Sequence, residues 1–153
     1  MAEVLSGSDK GDEPMWGRPV NGLRMACVAE AGGFRRYERV RLRLILENVQ
    51  PSGEVAIEDV RPFVDYKIEV ADGDGRLARL TETGEARLSP FLHKVGGRIH
   101  RVLGAGETLT LALPLSDYFS LERPGDYLAN VSRPTWKDKD GPLAATPCRF
   151  RVI

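Results

Sequence analysis

The sequence predicts an all-β sandwich, and three observations carry that prediction. From Trp16 onward apolar and polar residues alternate at period two, glycines and prolines break the chain into short runs, and no window of helical length carries a 3.6-residue apolar stripe. The third observation is the stretch from Leu115 to Val131, where Pro124-Gly125-Asp126-Tyr127 turns into an alternating strand. A tyrosine delivered by such a turn reads as a tyrosine corner, its ring filling the mouth of a sandwich and its hydroxyl bonded to upstream backbone. The expected architecture is an immunoglobulin-like antiparallel β-sandwich of seven to eight strands, with an up-and-down barrel as the competing closure.

Each element follows from local pattern. Residues 1–14 lack periodicity and read as a disordered leader, leaving 15–153 as the folded domain. A first strand over 22–29 carries Leu23, Met25, Cys27 and Ala29 on one face and ends at Gly32-Gly33. A second over 39–48 places Val40, Leu42, Leu44 and Leu46 inward and Arg39, Arg41, Arg43 and Glu47 outward. Tyr66, Ile68 and Val70 mark a third over 63–71, which Asp72-Gly73-Asp74-Gly75 turns into a short partner at 76–81. Beyond a long connection at 82–98 come strands at 99–103 and around Leu109, Leu111 and Leu113, then 127–132 after the corner. The last, 148–153, alternates Cys148, Phe150 and Val152 with Arg149 and Arg151.

Composition narrows the function. At 153 residues one domain is expected, burying roughly 70% of its unfolded surface without needing metal or disulfide. The net charge is zero, from 22 basic and 22 acidic residues, so no bulk field draws the chain to nucleic acid or to an anionic membrane. No run approaches the ~20 apolar residues of a membrane span, and Met1 to Met15 lacks the apolar core of a signal peptide. The expected compartment is the cytoplasm if the chain is full-length, and extracytoplasmic if it is a fragment of a secreted protein. Cys27 and Cys148 are too few and too far apart for a disulfide scaffold or zinc knuckle. They read as small buried hydrophobes, with a bond between the first and last strands as the alternative.

No pattern points to catalysis. His93 and His100 are the only histidines and match no ligand spacing, and no Gly-x-Ser-x-Gly elbow is present. The expectation is a non-enzyme with no catalytic residues, metal or cofactor. Asp72-Gly73-Asp74-Gly75 lacks the closing glutamate of a calcium loop, because Thr83 stands in that place, and it reads as a hairpin turn. Asn130-Val131-Ser132 matches a glycosylation acceptor but falls within a strand.

Arginine supplies 17 of the 22 basic residues, and Arg39, Arg41 and Arg43 form one row while Arg149 and Arg151 form another. Adjacent rows would offer planar forks to a partner's carboxylates, but the reading preferred for them is a solvated face cross-paired with Glu47, Glu69 and similar residues. Two loops carry the expected partner contacts: Trp136, Lys137 and Lys139 within 133–147, and Phe91 and His93 within 82–98. Loops on a rigid sandwich commonly bind, and a loop tryptophan is a frequent interface anchor.

Trp16-Gly-Arg-Pro-Val-Asn-Gly-Leu23, Leu46-Glu-Asn-Val49, Gly106-Glu107 before Thr108-Leu-Thr-Leu111, and Leu115-Ser-Asp-Tyr-Phe-Ser-Leu121 before Pro124-Gly-Asp-Tyr127 together resemble immunoglobulin-like sandwich modules of bacterial multidomain proteins. The last two segments are also similar to the bacterial intracellular proteinase inhibitor family and to the prosegment of deuterolysin-like metallopeptidases. The resemblance implies the sandwich fold and adds protease inhibition as a function, but no stretch of this chain matches a reactive loop of that family. The expected function is therefore a non-catalytic protein-interaction module. The alternatives are a proteinase inhibitor or enzyme regulator working through a surface loop, and a carbohydrate-binding accessory domain. Carbohydrate would need a second aromatic aligned with Trp136, and only 7% of the chain is aromatic.

Overall fold

The computed structural model describes residues 14–58, 65–87, 100–133 and 142–153. Apart from Pro14, the expected leader lies outside them. Among the described residues the chain is an all-β sandwich. One sheet comprises β1 (Leu23–Ala29), β3 (Arg41–Asn48) and β7 (Thr108–Pro114) in the order β1-β3-β7, all antiparallel. The second comprises β2 (Gly33–Phe34), β10 (Cys148–Val152), β8 (Gly125–Arg133) and β5 (Lys67–Asp72) in the order β2-β10-β8-β5, with β9 (Leu143–Ala144) also on β8. A two-stranded ribbon pairs β4 (Val55–Glu58) with β6 (His100–Leu103).

Alternation sets the core. On β3 the burial pattern switches at every residue, with Leu42, Leu44 and Leu46 fully buried. Met25 and Cys27 of β1, Leu113 of β7, Val70 of β5, Ala129 and Val131 of β8, and Phe150 of β10 join them in a cluster drawn from both sheets. Each large aliphatic side chain so buried contributes about 1.5–3 kcal/mol. Cross-strand registry adds geometry: Phe150 lies opposite Tyr127, their rings stack at 5.4 Å, and Phe34 meets Phe150 edge-on at 6.2 Å.

The tyrosine corner forms. The Tyr127 hydroxyl donates to the Arg123 carbonyl at 2.7 Å, and Gly125, at φ 136°, supplies the backbone turn that other residues resist. Burial, reinforced by the Asp72 carboxylate, pushes the Tyr127 phenol above its ordinary range, keeping it a donor.

Several local features differ from the sequence expectation. The return at 76–81 is held by isolated bridges, Ala71 to Leu77 and Leu80 to Phe119, in place of a strand. The Asp72–Gly75 turn is as expected: Gly75 has φ 83°, and Asp72 Oδ1 accepts from the backbone N–H of Asp74 and of Arg76, each at 2.9 Å. The long connection begins with a helix, α1 (Glu82–Arg87). Thr81 caps it, its hydroxyl accepting from Gly84 N–H at 3.0 Å and donating to the Asp117 carbonyl at 2.7 Å. That second bond ties α1 to α2 (Leu115–Tyr118), the turn leading into the corner. Both helices are too short to show a 3.6-residue period.

The edge at β1 is closed by the chain before it. Gly17 N–H donates to the Met25 carbonyl at 3.0 Å, and the Thr146 hydroxyl donates to the Trp16 carbonyl at 3.2 Å, so residues 16–17 lie between β1 and 144–146. Asn21-Gly22, with φ 52° and 83°, then makes a two-residue hairpin between Val20 and Leu23. No helix among the described residues is long and apolar enough to cross a membrane.

Candidate functional site

The five expected partner-contact residues, Phe91, His93, Trp136, Lys137 and Lys139, lie outside the described residues. What the structure fixes is the base of the later loop. Ser132 pairs with Ala144 and Arg133 with Leu143, so the chain leaves β8 and returns through β9 at one place. Beside that base the Arg133 guanidinium lies 5.3 Å over the ring of Tyr66, whose phenol burial pushes above its ordinary range.

The two arginine rows part company. Arg41 and Arg43 belong to β3 in one sheet and Arg149 and Arg151 to β10 in the other, so they form no joint surface. Nor does the expected pairing with Glu47 occur: Glu47 faces Arg24 across the β1–β3 register and accepts its Nε–H at 2.5 Å, while that guanidinium also covers the Trp16 ring at 4.0 Å. Arg39 reaches Asp117 at 3.4 Å.

The row on β10 borders an open concavity of about 740 Å³. It exists because Cys148, Phe150 and Val152 turn into the core, which sends Arg149 and Arg151 outward over β8. Arg151 lies directly opposite Asp126, donating through Nε at 2.8 Å and through Nη2 at 3.4 Å. With both side chains more than 60% exposed, that pair adds little to stability. Hydrogen bonding and charge from Arg151, with a further contribution from Arg149, hold the Asp126 carboxyl below its ordinary range. Arg149 itself has no hydrogen-bonded carboxylate among the described residues. Asp72, at the end of β5 on the far side of β8, also lines the concavity, and Gly32 and Gly33 leave the remaining side without bulk.

A second cleft of about 500 Å³ runs along the seam between the sheets and is lined by Cys27 and Cys148. Both thiols are free and buried, and they lie near enough to perturb each other's ionisation. The neighbouring Cys27 thiol and the Ala29 backbone lower the Cys148 thiol below its ordinary range. Cys27 is raised by Cys148 and by burial.

Among the described residues no group of three or more His, Cys, Asp or Glu is arranged to hold a metal ion. Compared with known proteins, the chain matches no family model and no curated sequence. The resemblance to inhibitor and prosegment families accordingly rests on the motifs alone.

Sequence reading placed Arg149 and Arg151 outward but missed the concavity beside them, which needs Gly32-Gly33 and Asp72 brought from distant positions. It also missed Asn48, a fully buried polar residue at the end of β3. The Asn48 side-chain amide donates to the carbonyls of Leu103 (2.9 Å) and Gly53 (3.1 Å), and its oxygen accepts from Gln50 N–H (3.0 Å), pinning the β4–β6 ribbon to the sandwich. Its one local signal was a polar residue in the inward phase of an otherwise leucine-lined strand.

Proposed function

We propose that this protein is a non-catalytic protein-interaction module that engages its partner through the outer face of β8 and β10. The observation that carries the reading is Arg149. It is an exposed guanidinium at the rim of an open concavity, left without a hydrogen-bonded carboxylate among the described residues while its neighbour Arg151 is engaged by Asp126. A planar fork in that position suits a carboxylate on a partner surface, and Asp72 and Asp126 nearby supply charge of the other sign for register. The strand orders β1-β3-β7 and β10-β8-β5 correspond to A-B-E and G-F-C of an immunoglobulin-like sandwich, which supports the fold part of the resemblance. On such a scaffold the loops holding Trp136, Lys137, Lys139, Phe91 and His93 would extend the contact surface.

Crosslinking capture from lysate of the source organism tests this, comparing wild type with Arg149→Glu and Trp136→Ala. A specific protein retained by the wild type and reduced at least about tenfold by Arg149→Glu is the expected result, since charge reversal against a partner carboxylate costs more than the ~1.4 kcal/mol that tenfold represents. Equal capture by Arg149→Glu removes the site. Absence of any specific capture removes the protein-partner reading.

One observation favours an inhibitor as the second reading. The pairings of Ser132 with Ala144 and Arg133 with Leu143 fix both ends of residues 134–141, as a segment inserted into an enzyme cleft requires. Protease turnover blocked by wild type and restored with Trp136→Ala would select it over a passive adaptor.

A further inference from the structure

Cys27 and Cys148 are 121 positions apart in sequence, at the two ends of the fold, yet they line one cleft and each perturbs the other's thiol. Cys27 lies on β1, opposite Leu44 of the first sheet; Cys148 lies on β10, opposite Ala129 of the second. The pair therefore straddles the seam between the sheets. Both are 7% exposed and share one wall of the 500 Å³ cleft with Met15, Ala31, Thr146 and Pro147, which leaves a path for a small solute. Two hydrophobes buried for packing alone would need neither a shared cleft nor an opening to solvent.

We propose that Cys27 and Cys148 form a peroxide-oxidised dithiol site that closes reversibly into a disulfide stapling the two sheets together. The local chemistry divides the roles. Cys148, whose thiol the neighbouring Cys27 and the Ala29 backbone hold below its ordinary range, reacts as the thiolate. Its sulfur attacks one oxygen of hydrogen peroxide, the O–O bond breaks, and hydroxide leaves and is protonated to water, giving a sulfenic acid. The Cys27 sulfur then attacks Cys148 sulfur, the S–O bond breaks, and the departing oxygen leaves as water with the Cys27 proton. In sum two thiols lose two electrons and two protons, and one peroxide becomes two waters. A dithiol reductant reverses the bond by exchange. This site stands independently of the binding reading, although Gly32, Leu128 and Arg149 line both clefts.

The test treats the full chain with graded hydrogen peroxide, then maps peptides and measures Tm with and without dithiothreitol. The expected product is monomeric, lighter by two hydrogens, with the peptides of Cys27 and Cys148 joined and Tm raised on the order of 10 °C, all reversed by the reductant. In Cys27→Ser the sulfenic acid on Cys148 persists and is trapped by dimedone; in Cys148→Ser the remaining thiol resists peroxide. Three results would overturn the proposal: both thiols surviving peroxide, oxidation of each to sulfinic acid without a cross-link, or bonds formed only between molecules. The wild-type peptide map decides the matter even if a serine variant fails to fold.

Discussion

At the scale of single residues, Tyr127 shows how much a short motif can specify. The turn Pro124-Gly125-Asp126 and the phase of the strand behind it define both the burial of the ring and the direction of its hydroxyl, and the 2.7 Å bond to Arg123 follows. Tyr127→Phe removes that bond while keeping the ring stacked on Phe150, so stability should fall by about 1 kcal/mol, read as a lower urea midpoint with an unchanged slope. A larger loss would mean that the ring packing depends on the hydroxyl. Asn48 is the opposite case. Its partners are carbonyls at 53 and 103 and an N–H at 50, and nothing adjacent in sequence shows that the backbone at 103 arrives there.

Among the elements, those whose identity rests on alternation were the legible ones. β3 is the clearest, because three inward leucines alternate with Arg41, Arg43 and other outward residues, and a slip by one residue would bury arginines. The two-residue strands β2 and β9 carry no period and are created by their partners, β10 and β8. The hairpin at Asn21-Gly22 had a local signal in its Asn-Gly pair. The docking of the chain before it had none. Gly17 is required there because a Cβ would stand 1.8 Å from the Ala144 carbonyl oxygen. Gly17→Ala should therefore push residues 16–20 off β9, at a cost of about 1–3 kcal/mol, with faster amide exchange in that segment as the direct readout. Unchanged exchange would show that the approach is looser than the geometry implies.

For the molecule as a whole, one core joins the two sheets. Leu44, fully buried at the centre of β3 between β1 and β7, packs within a cluster that includes residues of both sheets. Leu44→Ala should cost about 3 kcal/mol, and circular dichroism and near-ultraviolet signals should fall in a single coincident transition. Separated transitions would mean that the sheets unfold independently. The sequence by itself determined which side of each long strand faces inward, the all-β character and the tyrosine corner, because alternation and turn chemistry act over a few neighbouring residues. Only the tertiary structure decided which strands are neighbours. It sent the two arginine rows to different sheets, opened the cleft beside Arg149 and brought Cys27 and Cys148 to one cleft. Those outcomes depend on pairing between segments up to the full length of the chain apart, selected by how the buried faces of two sheets fit together, and no local pattern encodes that choice.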